Sequence, residues 1–172
     1  MKVNGEHYRS LWADRTAGTV MAIDQTMLPH RFEIVTMRTL EDVAFAIRHM
    51  QVRGAPLIGA AAAYGMVLAA QHNGSDANLD QAMRQLIATR PTAINLQWAT
   101  TRMRTFLQGF PIIRRAQAAW DEAARICDED VSLNQTMARH GLGLIQTMAQ
   151  RKSGVLNVLT HCNAGWLATV DW

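Results

Sequence analysis

Three short peptides hold the residues of this chain best suited to chemistry. In Arg53-Gly54-Ala55-Pro56 and in Arg90-Pro91-Thr92-Ala93, an arginine stands just before a proline that suits the first turn of a helix. A helix start leaves backbone N–H groups without intrahelical partners and carries partial positive charge, and a guanidinium adds a forked, charge-assisted donor. Such a mouth fits a phosphate or another small anion. The same arginines could equally cap neighbouring carbonyls or point into water, and the pattern alone does not choose.

The third peptide, Thr160-His161-Cys162-Asn163-Ala164-Gly165, follows an apolar, β-branched run at 155–160 that reads as a buried strand of parallel type. A thiol just past the carboxyl end of such a strand lies where open α/β sheets bind ligands. A helix start beside it would favour thiolate, whereas apolar surroundings would keep it protonated and able to donate. A packed structural cysteine is the competing reading. His161 is a poor base for Cys162 if the strand continues, because adjacent side chains point to opposite faces. Asn163 could orient a substrate hydroxyl or simply serve a turn.

The remaining composition narrows the classes. Cys127 and Cys162 form no CxxC pair, and the six histidines show no metal-ligand spacing, so neither a disulfide framework, a metal nor another cofactor is expected. Cys127 reads as core. The net charge of +3 is spread in short pairs such as Arg114-Arg115, too thin for a stripe that follows nucleic acid. No run approaches the roughly 18–20 apolar residues of a membrane span, and the first residues lack a signal peptide's apolar core. A cytoplasmic protein is the expectation.

The elements that must position these peptides follow from periodicity. Runs within 8–12, 19–23 and 31–35 predict three short strands in a small antiparallel sheet. Thr39, with Asp42 three residues on, has the form of a capping box opening a helix over 40–50. The next helix starts at the RGAP peptide, stops at Asn73-Gly74, and carries small residues from Gly59 to Gly65 that let another backbone approach closely. Further helices are expected over 79–89, from about Thr92, and from Pro111 to about Gln150 with a break near Ser132. A strand at 155–160 needs neighbours in its sheet, yet only 12 residues follow Thr160. The reading is therefore a mainly helical α+β domain with a small antiparallel sheet at 1–153. The first strand and loop of a Rossmann-like α/β domain follow at 154–172, cut short by the chain end.

In order along the chain, DQTMLP at 24–29, VRGAPLIGAAAAYG at 52–65, RPTAINL at 90–96 and VLTHCNAGWLAT at 158–169 resemble the methylthioribose-1-phosphate isomerase family. Ribose-1,5-bisphosphate isomerases and regulatory subunits of translation initiation factor 2B belong to the same wider group. The resemblance implies an aldose–ketose isomerase that converts 5-methylthioribose 1-phosphate to 5-methylthioribulose 1-phosphate in methionine salvage, without a cofactor and as a homodimer at full length. By motif, Arg53, Gly54, Ala55 and Arg90 would bind the sugar phosphate and Cys162 would be the catalytic thiol. The family is longer, and its acid/base aspartate would lie beyond Trp172, leaving the 172 residues alone inactive. Trp166 departs from the small residue usual there. A sensing subunit that binds without turnover, or a plain helical interaction module, are the rival readings.

Overall fold

A computed structural model describes residues 2–172. Its centre is α2 (Ala55–His72), which buries 14 of its 18 residues. A helix apolar all round has to be wrapped by others, and small side chains let them come close. Around it lie α1 (Leu40–Arg48), α3 (Asp76–Ile87), α4 (Ile94–Gln108) and the first half of α5 (Ile112–Arg151). A β-carbon placed on Gly65 would lie 3.0 Å from Leu86 and 3.2 Å from Val43, so this glycine sets the approach of both neighbouring helices. The expected capping box at α1 is present, with Thr39 accepting from the Asp42 N–H and the Asp42 carboxylate accepting from the Thr39 N–H. The third helix starts earlier than expected because Ser75 caps it, accepting from the Asn78 N–H.

The three expected strands form the antiparallel sheet β3 (Leu11–Asp14), β4 (Thr19–Ile23) and β5 (Ile34–Met37), in that spatial order. Leu11 pairs with Ala22, and Val20 with Met37. A preceding hairpin, β1 (Lys2–Val3) with β2 (Glu6–His7), is an addition to the expected elements. Its signal is Asn4-Gly5, both at positive φ, the pair that a tight two-residue hairpin turn favours.

The end of the chain is fastened to this sheet. The Ser10 N–H donates to the Val170 carbonyl at 2.8 Å and the Ser10 hydroxyl to the Trp166 carbonyl at 3.0 Å. Gln25 Nε2 donates to the Leu167 carbonyl at 2.6 Å, and His7 pairs with Asp171 at 2.8 Å. Val170 and Ala168 are buried against the helical core. Trp166 is accommodated in a one-turn 3-10 helix, Trp166–Ala168.

Two expectations require correction. The long last helix runs unbroken past Ser132, because no proline interrupts it and glycines 141 and 143 each cost only about 1 kcal/mol relative to alanine. The expected strand at 155–160 is absent, and those residues are largely exposed without regular structure. A strand is held by ladder hydrogen bonds and cross-strand packing, and here it has no neighbour to supply them. Consistently, the fully buried side chains of α5 extend only as far as Cys127.

Asp130 on α5 accepts from the Val170 N–H at 2.8 Å and from Asn134. Burial raises its carboxyl above the ordinary carboxylate range, although both hydrogen bonds pull it down. The folded chain therefore keeps this proton at a pH where the unfolded chain has lost it. Its ionisation disfavours folding as pH rises through the folded value. Asp130→Asn should accordingly gain stability relative to the parent between about pH 4 and about pH 7. Urea midpoints at the two pH values check this, and an equal difference at both would contradict it.

Candidate active site

Helices α2 and α4 start at the same end of the domain. A β-carbon on Gly59, one turn into α2, would lie 3.1 Å from the Asn95 carbonyl at the start of α4, while Gly74 beyond α2 meets Ile112 beyond α4. The RGAP and RPTA peptides thus form two mouths side by side. Arg53 is exposed and Arg90 half-buried, with the Arg90 carbonyl accepting from the Ala93 N–H at 2.9 Å. Neither start has a side-chain cap or an acidic residue in its first turn. The starts of α1 and α3 have both. The start of α5 at Pro111 is also uncapped, but it opens at the other end, beside Gly74.

Gly54 occupies the N-terminal cap of α2 at φ +107°, a region that favours glycine. It also touches the far end of the chain: a β-carbon there would fall 2.6 Å from both the β-carbon and the carbonyl oxygen of Ala168, and still closer to its α-carbon. The loop after Cys162 consequently lies over the mouth of α2. Asn163 Nδ2 donates to the Arg53 carbonyl at 3.4 Å, tying the THCNAG and RGAP peptides together. Cys162, next to this tie, is exposed and has φ +66°. Cys127 is the opposite case, buried beside Tyr64 with its thiol pushed up by burial to about 12. It is core, as expected.

Sequence reasoning does not find the parts that hold this arrangement. Asp24 is buried and accepts from the Thr26 N–H, the Thr26 hydroxyl and Gln51 Nε2. The neighbouring Gln25 carries the Leu167 carbonyl, so the DQTMLP loop braces the segment that carries Cys162. The acid followed two residues later by threonine is a local turn signal, but its distant client is not visible locally. Among the described residues, no three His, Cys, Asp or Glu side chains converge as a metal site, and no helix is long and apolar enough to cross a membrane.

This fold, a mainly helical domain with small antiparallel sheets, is matched by known proteins. Residues 51–170, which contain all three peptides, match the Initiation factor 2 subunit family, and the chain belongs to it. It is 55% identical over its whole length to methylthioribose-1-phosphate isomerase of Cereibacter sphaeroides, covering 47% of that protein. Two solved structures superpose over 96% of the chain. The translation initiation factor eIF-2B delta subunit from A. fulgidus has a TM-score of 0.80 at 37% identity, and 5-methylthioribose 1-phosphate isomerase from Pyrococcus horikoshii OT3 has 0.79 at 36%. These matches cover 48% and 46% of the two structures, so the chain spans about half the length of these relatives.

Proposed function

We propose that this chain carries the phosphate mouths and the catalytic thiol of an aldose–ketose isomerase acting on 5-methylthioribose 1-phosphate. The observation that carries the reading is the tie between Asn163 and the Arg53 carbonyl, with Ala168 seated on Gly54, which sets Cys162 beside an uncapped helix mouth. Relatives at 52–55% identity that bear the isomerase name add their support. Chemically, the ring oxygen must gain a proton as its bond to C1 breaks, the C2 hydroxyl must lose one, and the C2 hydrogen must pass to C1. The atoms of the product are those of the substrate, so no oxidant or reductant enters. Arg53 and Arg90, with the N–H groups of their helices, hold the phosphate on C1. Cys162 handles one of the two protons.

On this reading, the second proton-handling group belongs to a Rossmann-like α/β part of the full-length protein, with a parallel strand at 155–160 as its first element. The full-length protein acts as a homodimer, and these 172 residues alone do not turn over substrate. The exposed apolar positions Leu144 and Met148 on α5 fit a helix that more polypeptide covers. The likeness to an initiation-factor subunit supports a second reading, binding of a sugar phosphate without turnover. A turnover assay separates the two.

Arg53→Ala and Arg90→Ala test the mouths. A hydrogen bond to a charged group contributes about 1.5–3 kcal/mol, so each substitution should raise KM by roughly 10- to 100-fold. Unchanged affinity in both variants would remove the arginines from phosphate binding.

A further inference from the structure

Beside the two mouths lies an apolar groove of about 450 Å³ that the phosphate chemistry does not use. It begins at Pro56, next to Ala55, and at Ile94, the first residue of α4. Trp98 stands one turn further along α4, about 6 Å away along the axis. Leu133 and Met137, four residues apart and so on one face of α5, also line the groove. These side chains are unusually open for their type: Ile94 is 80% exposed, Trp98 48%, Leu133 64% and Met137 62%. Among the described residues, neither lysine nor arginine lines the groove, and its charged members are Glu129 and Asp130. Arg102, beside the groove, is committed to Glu122 and Glu129 and lies 5.6 Å from the centre of the Trp98 ring. Its ion pair holds the Glu129 carboxyl below the usual carboxylate range. A phosphate in the groove would meet carboxylates and no free guanidinium, while a thioether would meet indole, leucine and methionine.

We propose that this groove is the subsite for the substituent on C5 of the sugar phosphate, admitting an apolar methylthio group and rejecting a second phosphate. The proposal rests on the isomerase reading and deepens it: the mouths fix the phosphate on C1, and the adjoining apolar walls set which pentose phosphate is taken. Trp98 and Met137 are then specificity-determining residues, without a part in proton transfer.

The test compares 5-methylthioribose 1-phosphate with ribose 1,5-bisphosphate in the full-length protein, the second read as an inhibition constant where it is not turned over. Trp98→Ala should lower kcat/KM for the methylthio substrate roughly 10- to 100-fold, the range expected for a lost apolar pocket wall, with less than about threefold change for the bisphosphate. Met137→Lys should shift the preference toward the bisphosphate by about tenfold or more, through a new cation in the groove. If the parent turns over neither compound, the isomerase reading falls and the subsite with it. If the parent is active but both variants leave the preference within about twofold, the subsite alone is overturned. It is overturned as well if both compounds weaken together while Tm drops, since that marks a groove filled by polypeptide.

Discussion

Cys162→Ser in the full-length protein should lower kcat on 5-methylthioribose 1-phosphate by about 10²- to 10⁴-fold with KM little changed, the span usual for losing one positioned acid or base. Serine nearly matches the shape of cysteine, so the exposed loop and its left-handed backbone at φ +66° should survive. What changes is proton affinity, because a hydroxyl neither gives nor takes a proton near neutrality as a thiol can. The Asn163 tie to Arg53 is a neighbouring residue's contact and should persist, which is why binding is expected to hold. Cys127 is the internal control. Its buried thiol, raised to about 12, is far from ionising, so Cys127→Ser should reduce stability and leave kcat close to the parent's. Turnover undiminished by Cys162→Ser would take the thiol out of the reaction.

Much of this domain is legible in the sequence because its determinants are local. The capping box at Thr39 and Asp42, the proline after Gly54, and the stop at Asn73 each act within a few residues, and the structure has α1 and α2 where they indicate. The three strands of the small sheet also follow from short apolar runs between turns. The run at 155–160 has the composition of a buried strand, but composition supplies only half of a strand, and the ladder partner must come from elsewhere. The break expected near Ser132 does not occur: Ser132 is exposed, a serine on an exposed helix face is tolerated, and α5 continues through it.

The site is legible as residue types but not as an assembly. Arg53 and Cys162 each stand out alone in the sequence, and each has an equally good structural explanation. What turns them into one site is a hydrogen bond between residues 110 apart in sequence and a backbone contact of Gly54 with Ala168. Neither leaves a mark in local spacing. The sequence marks Gly54 as a glycine that permits unusual angles, and that is only part of its role. Gln25 and Asp24 stand out only through resemblance, because bracing a distant loop has no period.

Gly54→Ala should be the most damaging single-methyl change at the site, and two separate physical effects set its size. A non-glycine residue at φ +107° is strained by about 1–3 kcal/mol. A methyl group driven into the Ala168 backbone adds about 1–3 kcal/mol more, because backbone cannot rotate away as a side-chain tip can. Gly165→Ala separates the two: Gly165 has φ +91° with nothing within reach of an added β-carbon, so it meets strain without collision. Urea unfolding should therefore show Gly54→Ala as the more destabilised variant by the collision energy. The chain has one cheaper escape, lifting the Trp166–Ala168 turn off the mouth of α2 and giving up the bonds from Ser10 and Gln25. Limited proteolysis would then cut near residues 163–170 in Gly54→Ala but not in Gly165→Ala. Lifting the turn would also release Asn163 from Arg53, so kcat should fall in Gly54→Ala even where the domain remains folded. Equal stability and equal protease resistance in the two variants would mean that Ala168 does not bear on Gly54, and that the seating of Cys162 rests on something other than this contact.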